Sequence, residues 1–309
     1  MESHLTTEPV DIIVVTRDRF STFARCLDAV YDHTQLSFNL FVVAGAVDHR
    51  TEDQLRRLQA VKGNVRLLLE ERHLTQADAR NLGLVQARSR YCVVLENDTM
   101  VHDNWLAPML ECMWEQGAAA VMPLIFWYRG LHAAGCAFEE VDVNGRRELR
   151  HHILYGDIRR KRIGYPESHC ILIDRHRLDG DALFDDVEPL DVDLGLTLRK
   201  RGLSVFLEPR AKATYAAPPP LELRDIPLCK RRWDASAWKA RNDAFMKKWD
   251  VHYDAARKLA SYRRQELKLG LARWYETPLT VALSNLAFGS ANRLLSVVRG
   301  TPSDQDLRQ

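Results

Sequence analysis

The chain has 309 residues, of which 46% are hydrophobic and 28% are charged. This composition is typical of a globular protein and excludes a disordered or fibrous chain. The length suffices for one large α/β domain with an addition at its C-terminus. The formal net charge is only +2 at pH 7, and we expect no nucleic-acid partner.

The cysteine pattern and the absence of targeting segments indicate a cytoplasmic protein. The six cysteines include no C-x-x-C pair, which favours reduced, buried thiols over disulfides or a zinc site. The first residues, Met1 to Pro9, lack the apolar core of a signal peptide. The apolar stretch Pro278–Val298 is interrupted by Asn285 and Arg293, so we expect no transmembrane helix.

The first hundred residues alternate between two patterns. Four short apolar runs rich in β-branched residues are typical of buried strands, and they cover Val10–Val15, Phe38–Val43, Val65–Leu69 and Tyr91–Leu95. Helical patterns lie between them, over Ser21–His33, in a stretch opened by Thr51 and Gln54 at capping-box spacing, and over Thr75–Arg88. Alternating strands and helices predict an α/β fold with a largely parallel, doubly wound sheet. In such sheets the ligand binds beyond the carboxyl ends of the strands.

The next hundred residues add further elements and then a boundary. We expect strands over Ala119–Leu124, His169–Asp174 and Ser204–Leu207, a hairpin of Ala134–Val143 with Arg146–His151 around Asn144-Gly145, and a helix over Asp191–Arg201 that ends at Gly202. Three prolines, Pro218 to Pro220, interrupt regular structure. The predicted organisation is one α/β domain over 1–217, with a first half of about 8–100 and a second half of about 101–217, followed by a helical extension over 218–309.

The extension is basic and contains several tryptophans. From Arg224 to Arg273 there are 14 lysines and arginines against 6 aspartates and glutamates. Such a segment can pack its apolar face on the α/β domain or on a second subunit in a homodimer, or it can lie on a membrane surface. Packing, on the domain or in a homodimer, is the favoured interpretation, and binding at the inner face of the membrane is the alternative.

Two carboxylates follow the fourth strand at a spacing of two, in Glu96-Asn97-Asp98. A divalent cation that bridges phosphates prefers oxygen ligands, and a nucleotide ribose prefers a carboxylate acceptor. The acid-x-acid pattern alone is common in loops, so the motifs around it must decide whether it forms a functional site. The run Gln76-Ala77-Asp78-Ala79-Arg80-Asn81-Leu82-Gly83 precedes the strand, and Leu190-Asp191-Val192-Asp193-Leu194-Gly195 comes later.

In the order and spacing of these motifs the chain resembles the family-2 glycosyltransferases of the GT-A fold, over roughly residues 10 to 216. The resemblance implies a GT-A-type, mostly parallel sheet flanked by helices, with a helical C-terminal extension. Residues 1–217 would then be the catalytic domain, with a nucleotide-binding half of about 8–100 and an acceptor half of about 101–217. It also implies an inverting transfer. Glu96 would face the ribose, Asp98 would bind Mg²⁺ or Mn²⁺ on the diphosphate, and Asp191 would deprotonate the acceptor hydroxyl.

The implied partners are a nucleoside-diphosphate sugar, with a UDP-sugar favoured, and a hydroxyl acceptor on a glycan, a lipid-linked molecule or a natural product. Further candidates for the nucleotide sugar are Thr16, Arg17, Asp48, Arg80 and Asn97. Candidates for an acceptor pocket are Trp127, His132, His169 and Asp193, because aromatic faces suit sugar rings.

The chain departs from the family pattern at three places. The second strand runs into Ala44-Gly45-Ala46-Val47-Asp48 where the family has an Asp pair, so the base-reading carboxylate is absent or displaced to Asp48. Leu190 stands where a Glu usually precedes the catalytic Asp. Tyr215 stands where a His often completes the metal shell.

Two other functions share this fold and chemistry. A non-catalytic module that binds sugar nucleotides or glycans would explain the three departures, whereas the joint presence of Asp98 and Asp191 argues against it. A sugar nucleotidyltransferase would need a glycine-rich loop after the first strand to hold a triphosphate. That loop reads Thr16-Arg17-Asp18-Arg19-Phe20 and contains no glycine.

Overall fold

The computed structural model describes residues 8–127, 130–178, 184–215 and 222–253. Twelve strands are present in this part of the chain: β1 Val10–Val15, β2 Phe38–Gly45, β3 Val65–Glu70, β4 Tyr91–Glu96, β5 Thr99–Val101, β6 Ala120–Trp127, β7 Gly130–Ala133, β8 Cys136–Val143, β9 Arg146–Ile153, β10 Lys161–Ile163, β11 Cys170–Asp174 and β12 Val205–Tyr215. The helices are α1 Phe23–His33, α2 His49–Val61, α3 Gln76–Gln86, α4 Leu106–Gln116, α5 Leu190–Lys200, α6 Ile226–Arg232 and α7 Ala235–Trp249.

One mixed sheet organises the protein, with strands in the order β10-β12-β6-β11-β4-β1-β2-β3. The half formed by β3, β2, β1 and β4 is parallel, as predicted. Strand β11 runs antiparallel to both of its neighbours, β4 and β6. The carboxyl ends of β1 and β4 therefore meet the beginning of β11 at one edge of the sheet, and this edge carries the site.

Local sequence accounts for several of the element boundaries. Helix α3 begins at a capping box in which Thr75 and Asp78 satisfy each other's backbone N–H groups. The hairpin of β8 and β9 turns at Asn144 and Gly145, which both have positive φ as a tight two-residue turn requires. Gly83 lies so close to β1 that a Cβ atom there would meet the Ile13 side chain at 2.2 Å, so only glycine permits this helix–strand contact.

Some predicted boundaries were wrong. Helix α2 is capped by Asp48, whose carboxylate accepts the Thr51 backbone N–H at 3.1 Å, and not by Thr51. Both residue types can cap a helix, so the spacing alone did not decide between them. Strand β12 continues to Tyr215, well beyond the predicted Leu207, because its last residues pair with β5 and β6.

The described part of the extension packs against the preceding α/β part of the chain. Helix α7 contributes Phe245, which is fully buried, to a second apolar cluster with Val192 and Leu196 of α5. At the other end, the Asp225 carboxylate accepts the backbone N–H groups of Phe20 and Ser21 at 2.7 and 3.2 Å. The favoured interpretation of the extension therefore holds for its described residues. Pro218 to Pro220 and residues 254–309 lie outside the described part of the chain.

Two further expectations concern thiols and membranes. All six cysteines are free, and five of them are buried, as the sequence predicted. Among the described residues, no helix combines the length and the apolar character needed to cross a membrane.

Candidate active site

The site is built on the end of β4, where Glu96, Asn97 and Asp98 are all buried. The Asn97 side chain ties this end to the loop after β1, since it accepts the Arg17 backbone N–H at 2.9 Å and donates to the Arg19 carbonyl at 2.6 Å. Asn97 thereby fixes the loop, while the two carboxylates on either side of it remain available for charged partners.

Arg17 is the first of these partners. Its Nη1 lies 2.9 Å from Oδ2 of Asp98, and its Nε lies 3.2 Å from Oε2 of Glu96. The guanidinium carbon also stands 4.7 Å from the centre of the Tyr215 ring, within the range of a cation–π interaction. The predicted donor-binding arginine thus bridges both carboxylates of the motif.

Arg80 holds Glu96 from the opposite side. It is fully buried on α3, and its Nη2 lies 2.6 Å from Oε1 of Glu96. The next residue, Asn81, exchanges two hydrogen bonds with the backbone of Phe184, at 2.7 and 3.0 Å. This pair of residues therefore links the end of β4 to the segment that leads into α5 and Asp191.

His169 lies opposite Glu96, because β11 pairs antiparallel with β4 and the Glu96 backbone N–H donates to the His169 carbonyl at 3.0 Å. Its ring Nδ1 is 2.5 Å from Oε1 of Glu167, and its Nε2 is 3.7 Å from Oε2 of Glu96. Both Nε2 of His169 and Oε2 of Glu96 are buried and have no hydrogen-bond partner among the described residues. These two atoms face a common space.

Glu96, Asp98 and His169 could together hold a metal ion. Each offers one ligand atom, and the three atoms lie within 4.8 Å of one another. Nε2 of His169 has no hydrogen-bond partner among the described residues and Oε2 of Glu96 has only its ion pair with Arg17, so both atoms fit such an ion once His169 has lost its second ring proton. The Glu167 carboxylate on the far side of the imidazole is the arrangement that commonly orients a metal-binding histidine. A second set, His132, Glu167 and His169, also offers three ligand atoms within 4.8 Å of one another.

The charges in this cluster shift one another's ionisation. Burial raises the pKa of Asp98 to about 6, although Arg17 and His169 oppose the shift. Burial acts in the same direction on Glu96, but His169, Arg17 and Arg80 outweigh it and keep the pKa of Glu96 below its usual value. Burial would lower the pKa of His169, but Glu167 and Glu96 raise it to about 9. The cluster is therefore closely balanced in charge.

Asp191 lies in the first turn of α5 and is half-buried. Burial raises its pKa to about 7, and the negative charges of Glu167 and Glu188 add to the shift. The Arg80 guanidinium, which binds Glu96, is also within electrostatic range of Asp191. A carboxylate that titrates near neutral pH is suited to accept a proton.

The acceptor candidates divide into two groups. His132 approaches the cluster, with its ring centroid 5.9 Å from that of His169 and 6.2 Å from that of Tyr215. Trp127 pairs with Tyr215 across β6 and β12, and its buried indole N–H has no hydrogen-bond partner among the described residues. Asp193 is different: its carboxylate binds Lys248 at 2.7 Å and the Trp249 indole at 2.7 Å, so it fastens α7 to α5.

The two other predicted donor residues also have partners within the fold. The Thr16 hydroxyl donates to the Val43 carbonyl at 3.3 Å. The Asp48 carboxylate caps α2 and lies near Arg224. Both residues lie beyond the carboxyl ends of their strands, where the nucleotide was expected. Their polar atoms, however, form hydrogen bonds with neighbouring parts of the fold.

The sequence interpretation missed two residues of the site. Glu167 is one, and the acid two positions before His169 was its only signal in the sequence. Gln76 is the other: its amide donates to the Thr16 carbonyl at 2.7 Å and accepts from Arg80 at 2.7 Å. Tyr215, noted only as a departure from the family pattern, proves to contact both Arg17 and His169.

Comparisons with known proteins agree with this geometry. Residues 11–135 match the family model described as "Glycosyl transferase family 2". Among solved structures, the fold is similar to a crystal structure of GalNAc-T7 with UDP, GalNAc and Mn²⁺, with a TM-score of 0.53 and 15% sequence identity. The similarity covers 67% of this chain and 43% of that chain; at this identity it shows the fold, a GT-A-like one. No curated protein matches the chain.

Proposed function

We propose that the protein is a metal-dependent inverting glycosyltransferase, because residues 11–135 match the family model described as "Glycosyl transferase family 2". It moves a sugar from a nucleoside-diphosphate sugar to an acceptor hydroxyl. The observation that best supports the proposal is geometric: the Arg80 guanidinium pairs with Glu96 of the acid-x-acid motif at 2.6 Å, and its neighbour Asn81 exchanges two hydrogen bonds with Phe184, in the segment that leads to α5 and Asp191. We therefore assign the cation-binding group and the proton acceptor to one site.

On the donor side, Asp98 would hold Mn²⁺ or Mg²⁺, with Glu96 and His169 as the further ligands within reach. A bound divalent cation stabilises the charge that develops on the departing diphosphate. A nitrogen ligand beside two carboxylates favours Mn²⁺ over Mg²⁺, which prefers oxygen ligands alone. Arg80 holds Oε1 of Glu96, and Oε2, which pairs with Arg17 at 3.2 Å, is the oxygen that would meet the cation or a ribose hydroxyl.

On the acceptor side, Asp191 removes the proton from the attacking hydroxyl. Its raised pKa of about 7 makes it a stronger base than an ordinary aspartate and leaves a large fraction ionised at neutral pH. The hydroxyl oxygen attacks the anomeric carbon as the bond to the diphosphate breaks, and the proton passes to Asp191. Glu167 supplies a second negative charge near Asp191 although Leu190 occupies the position where the family has a glutamate.

The partners are proposed on the same basis. The similar solved structure contains UDP and Mn²⁺, which supports a UDP-sugar as the donor. Trp127 and His132 are the aromatic side chains proposed to contact the acceptor, because His132 lies beside His169 and Trp127 pairs with Tyr215, which contacts His169. Free cysteines throughout the chain support a reducing, cytoplasmic compartment.

A donor panel tests the proposal. We expect the protein to release nucleoside diphosphate from one of the common UDP-, GDP- or dTDP-sugars in the presence of Mn²⁺, and to lose this activity when EDTA is added. The measurement is a coupled assay of nucleoside diphosphate with a mixture of glycan and lipid acceptors. Tight binding of a sugar nucleotide without any release would contradict the proposal and favour a non-catalytic binding module.

A further inference from the structure

Arg17 stands where a divalent cation would have to bind. Its two nitrogens contact the same two carboxylates that the metal needs, at 2.9 Å from Asp98 and 3.2 Å from Glu96. A metal ion bound to these oxygens would lie within a few ångströms of the guanidinium, and the two positive charges would repel each other in a buried site where solvent screens them little.

The surroundings of Arg17 are suited to a guanidinium. The Tyr215 ring lies beside it at 4.7 Å and offers the face of an aromatic ring. This is the position at which the sequence has tyrosine in place of a metal-binding histidine. The carboxylates on one side and the aromatic ring on another stabilise the planar cation of arginine better than a lysine ammonium.

Of the two arginines that pair with Glu96, Arg17 is the one whose side chain can move away from the carboxylates. Its side chain is 12% exposed, whereas the Arg80 side chain is 1% exposed and is held by Gln76 as well as Glu96. Arg17 therefore lies at the solvent edge of the site, and its guanidinium can turn towards an arriving anion. A diphosphate offers such a guanidinium paired, charge-assisted hydrogen bonds.

The charge balance of the cluster also disfavours a metal ion beside Arg17. Glu96 and Asp98 are already neutralised by the guanidinium groups of Arg17 and Arg80, with His169 nearby. A divalent cation added to this arrangement would give the buried cluster an excess of positive charge, which is costly. A metal ion that arrives together with an anionic diphosphate, while Arg17 moves onto that diphosphate, restores the balance.

We propose that Arg17 and the divalent cation exclude one another at Glu96 and Asp98, so that the metal binds well only when a donor diphosphate draws Arg17 away. This inference rests on the proposed function, because it requires a donor with a diphosphate. Arg17 is then a residue that couples metal binding to donor binding.

The test is a titration with Mn²⁺ alone, followed by the electron paramagnetic resonance signal of free Mn²⁺. Arg17→Gln is expected to bind Mn²⁺ about 10- to 100-fold more tightly than the unsubstituted protein, the factor that corresponds to one lost charge-assisted hydrogen bond of the competing guanidinium. Arg17→Lys should bind with intermediate affinity. Arg56→Gln, which removes a charge from the exposed face of α2, should leave Mn²⁺ binding unchanged.

A second titration in the presence of UDP, and then of GDP, completes the experiment. The unsubstituted protein should bind Mn²⁺ more tightly with the nucleotide, and Arg17→Gln should gain much less. Equal or weaker Mn²⁺ binding by both Arg17 variants without nucleotide would overturn the inference and leave the proposed function intact. Failure of every variant to bind Mn²⁺ with or without either nucleotide would overturn the metal site itself.

Discussion

Replacing Asp191 by asparagine is expected to lower kcat by about 10²- to 10⁴-fold, the usual contribution of a general base, while the affinity for the donor is retained. The amide keeps the size of the side chain but cannot accept the proton of the acceptor hydroxyl. Initial rates measure the first effect, and calorimetric titration with the donor in Mn²⁺ measures the second. Equal loss of binding and turnover would make Asp191 a structural residue.

The matched control is Asp185→Asn, because Asp185 is an exposed acid six positions earlier that pairs with Lys248. This variant should keep nearly full activity. The dependence of the rate on pH gives a second readout: kcat/KM of the unsubstituted protein should rise with pH and level off above the pKa of Asp191, about 7, because only the ionised form accepts a proton.

The stability of the Asp191→Asn variant shows whether a loss of activity comes from lost catalysis or from unfolding. The folded protein raises the pKa of Asp191 from 3.8 to about 7, so the fold favours the protonated form. The stability that Asp191 contributes is therefore fully present below pH 3.8 and is lost as pH rises through about 7. At pH 8 the ionised Asp191 side chain is buried at a cost in free energy, and Asp191→Asn removes this cost. The melting temperature of the variant at pH 8 should therefore equal or exceed that of the unsubstituted protein.

Replacing Asp98 by alanine is expected to weaken Mn²⁺-dependent donor binding by about 100-fold or more, since even the loss of a residue that only supports a metal ligand costs about 10- to 100-fold. The affinity measured in EDTA should change far less. Calorimetric titration with the donor in Mn²⁺ and in EDTA separates the two. Unchanged affinity in Mn²⁺ would remove Asp98 from the proposed metal site.

Asp103→Ala is the control for this substitution. Asp103 follows β5 closely in sequence, but its side chain is 84% exposed and pairs with His33 on the surface. Its loss removes one acid from the same region of the chain without touching the buried cluster, so donor binding in Mn²⁺ should be unaffected.

The sequence predicted the parallel half of the sheet because each strand there is a short, mostly apolar run. Strand β12 was predicted too short, since Glu208, Pro209 and Arg210 interrupt its apolar run directly after Leu207, and its later residues are strand because they pair with β5 and β6. Strand β10 has only three residues, fewer than any periodic pattern can reveal. In these cases tertiary pairing, rather than local sequence, determines the strand.

The site was predictable only in part, for a similar reason. Residues that follow parallel strands meet at one edge of the sheet, so the position of Glu96 and Asp98 follows from the strand pattern. The approach of His169 to Glu96 depends on the antiparallel placement of β11 beside β4, which no local signal specifies. The contact of Arg17 with both carboxylates depends on the folding of a loop after β1, where Asn97 fixes the backbone.

The central claim is that Asp98 and Asp191 act on one bound donor, with the departing diphosphate at the first and the incoming alcohol at the second. A crystal structure of the Asp191→Asn protein with Mn²⁺ and its sugar nucleotide measures this directly. Mn²⁺ should bind Asp98 and the diphosphate, and the anomeric carbon should face residue 191 with room for one hydroxyl group about 3 Å from each. A sugar whose opposite face meets residue 191, or a metal bound away from Asp98, would contradict the account.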